Sequence, residues 1–363
     1  MPEEKKKVFV AMSGGVDSSV AALLLKEKGY DVVGVTMCFN ISYPNSKKPS
    51  CCGAQGIADA RRAAQILGIP HHILNFASDI HEFVIKDFLD EYLTGRTPNP
   101  CVRCNTFLKF KTLLKKSLAL GADYLATGHY AKIYFDKKTR SYRVKKAKDK
   151  SKDQSYFLYG LEKKDLPRIL FPLADITKRE VRTLAKKRGL NTAKKQESQD
   201  ICFVPESGYK QFIKEQMGED PFVPGPFVDH QGNVVGEHKG IANYTVGQRD
   251  KLGIALGKPV YVYKMDKGKN TIYVGPQEQL YSRRLTAKYF NSVSMDIPKE
   301  TINIMARIRY NAKEVKARLT CREDGEVQVD FKEPQKSVTP GQSVVFYKRD
   351  MLLGGAIIEE GEG

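Results

Sequence analysis

The segment Ser13-Gly14-Gly15-Val16-Asp17-Ser18-Ser19 constrains the fold more than any other. It lies between an apolar run at Lys7–Met12 and a stretch at Ser18–Lys28 whose apolar residues have helical spacing. A short apolar run closed by glycines reads as a buried parallel strand. Gly29 stands where a helix C-cap glycine belongs. A strand, a glycine-rich loop and a helix in that order make a phosphate cradle. The glycines let the backbone approach the anion, and the first N–H groups of the helix point at it. Ser13, Ser18 and Ser19 offer hydroxyl donors, whereas Asp17 calls for a cation such as Mg²⁺ between its carboxylate and the phosphates. The competing reading is a glycine turn with Asp or Ser capping the helix. The loop is not of the Gly-x-x-x-x-Gly-Lys-Ser/Thr type. The nearest match, Gly253 to Pro259, is one residue short and ends in proline.

Strand and helix patterns go on alternating. Asp31–Met37, His72–Phe76 and Tyr124–Thr127 read as strands, and Gly56–Leu67, Ile80–Leu93 and Thr106–Leu120 as helices. Such alternation predicts a parallel sheet covered on both faces. A hairpin is expected in Lys132–Lys152, and Leu161–Gly189 reads as helical, with Thr177 and Glu180 forming a capping box. From Gly208 onward short β segments dominate, among them Val260–Tyr263, Thr271–Val274, Val327–Phe331 and Ser343–Tyr347. The expected fold is therefore α/β, with a parallel-sheet nucleotide-binding domain at 1–207. A small, mainly β domain at 208–280 and a C-terminal β-barrel at 281–363 follow.

Charge narrows the class of partner. The 363 residues carry 60 Lys and Arg against 42 Asp and Glu, a net +18. A field of that sign attracts polyanions, of which nucleic acid is the commonest. Lys132–Lys152 concentrates it, with ten basic residues against Asp136 and Asp149. A phosphate-binding role is expected there. No run approaches the roughly 20 apolar residues of a membrane span. The start has no apolar core or cleavage site of a signal peptide, so a cytoplasmic protein is expected. Seven cysteines, an odd number in a large chain, argue for reactive or metal-bound thiols over a disulfide framework.

Several segments carry a wider resemblance: Thr97-Pro-Asn-Pro-Cys101-Val-Arg-Cys104-Asn105, Gly128-His129-Tyr130-Ala131, Lys152-Asp153-Gln154-Ser155-Tyr156, Ser198-Gln-Asp-Ile-Cys202-Phe-Val-Pro and Val338-Thr-Pro-Gly-Gln342. The loop resembles the PP-loop of the ATP pyrophosphatase superfamily. Together the segments resemble the tRNA-specific 2-thiouridylases, nearly end to end. That resemblance implies an enzyme that adenylates the C2 carbonyl oxygen of the wobble uridine (position 34) with ATP, then replaces the oxygen by sulfur. It implies Cys202 as persulfide carrier, Cys104 as partner nucleophile and Asp17 as the acid of the loop. Ala11, Met12, Ser13, Gly14, Gly15, Val16, Asp17 and Ser18 would line the phosphates, Met37 the adenine, and Gly128 the closing edge of the pocket. Asn99, Pro100 and Cys101 would hold the target base. His129, Lys152, Asp153, Gln154, Arg309, Tyr310 and Gln342 would contact tRNA. A persulfide-donating carrier or a cysteine desulfurase would deliver sulfur.

Cys104 stands just ahead of the expected Thr106–Leu120 helix, where the helix dipole lowers a thiol pKa. Cys101 departs from related chains that have Asp at this position. Cys101, Cys104 and Cys202 are three thiolates, enough for a [4Fe-4S] cluster with one open iron, so sulfur carried on iron stays open beside the persulfide route. Cys51 and Cys52 receive no role, Cys38 and Cys321 read as packing, and His71 and His72 read as strand-edge residues.

Overall fold

A computed structural model of the protein describes residues 5–41, 54–190, 201–218, 220–254 and 257–363. Cys51, Cys52 and the Ser198-Gln-Asp part of the Cys202 motif lie outside them. The chain divides into two compact units. The first comprises residues 1–84, 101–206 and 350–352, and the second 85–100, 207–349 and 353–363.

The first unit is built on a parallel sheet. β1 (Lys7–Ala11), β2 (Asp31–Cys38), β3 (His71–Asn75), β4 (Tyr124–Thr127) and β7 (Ile169–Leu170) lie in the order β3-β2-β1-β4-β7. β1 sits in the middle, with Ala11 opposite Val35 on one side and Thr127 on the other. Its Val8 and Val10 are fully buried, as a central parallel strand requires. The order reverses between β2 and β4 at β1, so the carboxyl end of β1 is the switch point where open α/β sheets bind ligands. Helices α1 (Val16–Glu27) and α2 (Ala54–Leu67) follow β1 and β2. Val20, Ala21, Ala60, Ala63 and Ala64 join Val8 and Val10 in one buried cluster. Gly29, Gly68 and Gly121 end helices with φ of +88°, +58° and +82°, the left-handed geometry that only glycine adopts without cost.

The expected hairpin is present as β5 (Ala131–Asp136) and β6 (Ser141–Lys146), with Ala131 opposite Lys146. The uniformly helical reading of Leu161–Gly189 needs correction. A 3₁₀ turn at Lys163–Arg168 leads into the two-residue strand β7, and α7 begins only at Lys178 and ends at Lys187. Pro167 disfavours a continuous α-helix there, and two residues carry no readable period. The capping box is present: the Glu180 N–H donates to Thr177 Oγ1 at 3.3 Å, and the Thr177 N–H donates to Glu180 Oε2 at 2.6 Å.

The second unit holds two β layers. β8 (Gly225–Asp229), β9 (Val234–His238), β10 (Tyr261–Asp266) and β11 (Thr271–Gly275) form a sheet in the order β10-β11-β8-β9. Its core is Phe227, Val262, Ile272 and Val274. β12 (Tyr281–Ser292), β13 (Ile302–Arg307), β14 (Val315–Cys321), β15 (Val327–Lys336), β16 (Ser343–Lys348) and β17 (Met351–Glu362) follow in the order β12-β15-β14-β13-β16-β17. β12 also pairs with β17, which closes the six strands into a barrel. Closure removes the exposed edges that an open antiparallel sheet would present.

Candidate active site: the phosphate loop and the cysteine segments

The loop at the end of β1 has the backbone geometry of an anion site. Gly15 is the N-cap residue of α1 and no side chain caps the helix. The capped-turn reading therefore fails, and the first N–H groups of α1 face outward from the switch point. Gly14 has φ +73°, and a methyl group there would sit 2.3 Å from the Gly56 carbonyl oxygen. Gly128 follows β4, and a methyl group on it would come within 2.7 Å of the Asp17 and Ser18 backbone. Both positions require glycine because another backbone passes close by. At the base of the loop, the Met12 N–H donates to the Val35 carbonyl at 2.7 Å. Thr36 Oγ1 donates to the Met12 carbonyl at 2.7 Å and lies 2.8 Å from His71 Nε2. His71 is therefore tied to the loop through Thr36, and burial lowers its pKa. Met37 lies one residue before the end of β2.

Two expectations about the loop change. The hydroxyls of Ser18 and Ser19 both donate to the Gly15 carbonyl, at 3.1 and 2.9 Å. Both residues are buried, so these hydroxyls brace the turn. The carboxylate of Asp17 already has a cation: Lys178 Nζ lies 2.8 and 2.7 Å from its two oxygens. The Tyr130 hydroxyl donates to Asp17 Oδ1 at 2.8 Å. Tyr130 belongs to a quoted motif. Lys178 stands 161 residues from Asp17, and its one sequence signal is its place just after the capping Thr177.

The cysteines sit in a different setting. Pro100 opens helix α5 (Pro100–Arg103), and a π-helical segment continues it over Cys104–Leu113. Cys104 is thus the fifth residue of a continuous helical run, not a residue ahead of one, because proline is accepted at the first helical position. The dipole argument, confined to the first turn, applies better to Cys101. Cys101 is exposed and Cys104 half-buried. The Asn105 side chain donates to the Phe157 carbonyl at 3.1 Å. This ties the helix to the 3₁₀ turn Ser155–Leu158 of the Lys152–Tyr156 motif. The Arg103 guanidinium lies 4.4 Å above the ring of Phe107, and Phe107 stacks on Phe83 at 5.6 Å. Cys202 is half-buried in a turn where the Val204 N–H donates to the Ile201 carbonyl at 3.2 Å. Among the described residues no three His, Cys, Asp or Glu side chains converge to hold a metal.

Several residues expected at RNA are engaged within the fold. Asp153 is buried, accepting from the Ala147 N–H at 3.0 Å and the Ser155 hydroxyl at 2.7 Å. Burial raises its pKa against those hydrogen bonds. Gln154 Oε1 accepts from the Tyr130 N–H at 3.0 Å, and Lys152 is half-buried. The His129 ring lies between Phe110 and Phe171, at 5.7 and 5.9 Å, with Nδ1 2.7 Å from Thr127 Oγ1. Burial, then the charge of Lys109, drives its pKa well below 6.5. That shift favours the neutral ring, which can meet RNA by hydrogen bonding or stacking.

In the second unit, Arg309 donates to the Lys336 carbonyl at 2.9 Å, and Tyr310 gives its carbonyl to the Arg307 guanidinium. Gln342 Nε2 donates to the carbonyls of Thr97 and Pro98 at 3.2 and 3.3 Å. The Thr97 N–H donates to the Pro340 carbonyl at 2.8 Å. Arg96 pairs with Glu91 and Glu359, each at 2.9 Å. The segment leading to Asn99, half-buried, and Pro100, buried, is thus strapped to the barrel. Cys38 donates to Asn40 Oδ1 at 3.1 Å, and burial raises the Cys321 thiol pKa. β3, carrying His71 and His72, is the edge strand of its sheet.

Three family models match in succession: a tRNA methyl transferase HUP domain at 6–206, a tRNA methyl transferase PRC-barrel domain at 210–276, and an aminomethyltransferase beta-barrel domain at 282–358. The chain is 48% identical over 361 residues to the tRNA-specific 2-thiouridylase MnmA of Acetivibrio thermocellus, covering 98% of this chain and 99% of that one. It is 49% identical over 359 residues to the protein of the same name from Halothermothrix orenii, covering 98% and 99%. The domain descriptions speak of methyl transfer and each matches a part. The thiouridylases match almost the whole length, and they carry more weight. At that identity and coverage, the chain belongs to the tRNA-specific 2-thiouridylase family.

Proposed function

We propose that the protein is a tRNA-uridine 2-sulfurtransferase that uses ATP to convert a uridine, by the family resemblance the wobble uridine at position 34, into 2-thiouridine. The full-length similarity to 2-thiouridylases carries this reading. An uncapped helix N-terminus at the switch point of a parallel sheet supports its ATP half. The uracil C2 oxygen attacks the α-phosphorus of ATP and pyrophosphate leaves. The terminal sulfur of a Cys202 persulfide then adds to C2, and the C2–O bond breaks with loss of AMP. The thiolate of Cys104 attacks Cys202 Sγ, breaking the S–S bond and leaving sulfur on C2. A Cys104–Cys202 disulfide results, which a thiol reductant must open before the next turnover. A persulfide-bearing protein reloads Cys202.

Ala11 to Ser18, Met37 and Gly128 are the proposed ATP contacts. Asn99, Pro100 and Cys101 are those to the base, and the division at 207 and 280 is proposed with them. Mg²⁺ is proposed on the ATP phosphates, since the carboxylate of the loop is paired with Lys178. Asp153 serves RNA through the loop it holds rather than by contact. The hairpin fits phosphate binding. Lys137, Lys138 and Arg140 are exposed at its tip, beside the exposed and mutually packed rings of Phe135 and Tyr142. Among the described residues no helix is long and apolar enough to cross a membrane.

Mass spectrometry of nucleosides from tRNA incubated with the protein, ATP and a persulfide source tests the reading. New 2-thiouridine that depends on ATP is expected. Its absence under both aerobic and anaerobic conditions would overturn the assignment. Formation only in anaerobic, iron-containing preparations would replace the persulfide route by the cluster route.

A further inference from the structure

Lys178 is remote from every segment that carries the family resemblance, yet its ammonium meets both carboxylate oxygens of Asp17 inside the phosphate loop. The lysine side chain is 10% exposed and the Asp17 side chain 31%. Its backbone is fixed independently of its ammonium. The Thr177–Glu180 capping box starts α7 at Lys178, and the Lys178 N–H donates to Asp149 Oδ2 at 3.0 Å. Val181 and Ala185 of α7 are buried in the same cluster as Val16 and Val20 of α1. The fold thus aims one lysine at one acid across 161 residues. An unpaired carboxylate among phosphates opposes a triphosphate by like-charge repulsion.

We propose that Lys178 is a positioning residue of the ATP site. Its ammonium neutralises Asp17, so the outward N–H groups of α1 and the backbone around Gly14 meet the triphosphate without an opposing negative charge. Tyr130, which also binds Asp17 and whose ring lies 5.9 Å from the Lys178 ammonium, keeps the carboxylate turned toward the lysine. The proposal rests on the reading of this loop as an ATP site.

A charge cycle on the full-length protein, read as equilibrium ATP affinity with Mg²⁺ and again with the metal chelated, tests it. K178M is expected to weaken ATP binding by about tenfold or more, about 1.4 kcal/mol or above. K178R, which keeps the charge, stays within about threefold of the unsubstituted chain. D17N/K178M, which removes both charges, binds ATP within about threefold of D17N. That recovery separates charge matching from packing, because a lysine that acted only as a strut would be missed equally in both backgrounds. K178M with unchanged affinity overturns the proposal, as does a double variant no better than K178M. If K178M does not fold, D17N against D17N/K178M gives the same answer: equal affinities are expected, and a further loss overturns it. An unsubstituted chain that binds no ATP overturns the reading of the loop and this proposal together. Binding by that chain without recovery in the double variant overturns this proposal alone.

Discussion

The phosphate loop and the segment Thr97–Pro100 both lead into a helix, yet they are held in opposite ways. The loop takes much of its shape from neighbours in sequence: Ser18 and Ser19 donate to the Gly15 carbonyl, and the Ser13 N–H donates to Ser18 Oγ at 3.3 Å. The Thr97–Pro100 segment takes its shape from the far end of the chain. Pro340 and Gln342 reach it from more than 240 positions away, and Glu359 pairs with Arg96 just ahead of it. A turn braced locally keeps its motif wherever the sheet forms. A turn strapped from a distant barrel exists only once that barrel has closed. The first kind announces itself in sequence, and the second does not.

The largest effect expected is chemical. Cys202→Ser should reduce 2-thiouridine formation below detection while leaving ATP affinity unchanged, because the phosphate loop is braced by Gly15, Ser18, Ser19 and Lys178. Nucleoside mass spectrometry beside an ATP titration checks both halves. Loss of ATP binding would mean that the turn holding Cys202 also supports the loop, and the contrast between local and distant bracing would blur.

Gly14→Ala comes next. It forces a left-handed φ of +73° on a residue with a side chain and drives that side chain toward the Gly56 carbonyl. The conformational part alone costs about 1–2 kcal/mol. With the steric part, ATP affinity should fall at least tenfold. A wild-type affinity would show that the loop relaxes freely, and would overturn the view that local geometry sets it.

These two positions also show what was legible. The strand–loop–helix order, the capping box and the glycine C-caps rest on residues within a few positions of one another, and the structure has all of them. The Asp17–Lys178 pair, the strap at Gln342 and the closure of β12 on β17 join residues that carry no mutual signal in one sequence. β7 escaped because two residues show no period. The sequence puts Cys104 ahead of its helix because a proline suits a loop as well as a first helical turn, so Pro100 does not by itself mark where the helix starts.

Arg96→Ala probes the strap. Arg96 holds Glu91 and Glu359, whose side chains are 24% and 28% exposed, so two carboxylates would be left facing each other. Breaking a fully buried pair costs about 3–5 kcal/mol; with this solvent access about 1–3 kcal/mol is expected. Thermal unfolding reads that loss, and activity at saturating ATP should fall with a higher KM for tRNA. Gln342→Ala, which removes donations at 3.2 and 3.3 Å, should cost about 0.5–1.5 kcal/mol and shift KM in the same direction by less. An ATP affinity that moved with either would contradict the separation between the two turns.

The smallest effect is a pH dependence centred on His129. Burial lowers its folded pKa well below the unfolded value of 6.5. Below pH 6.5 the unfolded chain therefore binds a proton that the folded chain refuses. Stability from this group is complete above 6.5 and is lost as pH falls from there toward the folded pKa. His71, also lowered by burial, contributes with the same sign and ties the effect to the base of the phosphate loop through Thr36. Denaturant unfolding at pH 7.5 and 5.5 should show a loss of stability on acidification, and His129→Phe should make that loss smaller. A loss unchanged in His129→Phe would assign the acid sensitivity elsewhere. A gain in stability on acidification would mean that the ring is charged in the fold, which its desolvation beside Phe110 and Phe171 opposes.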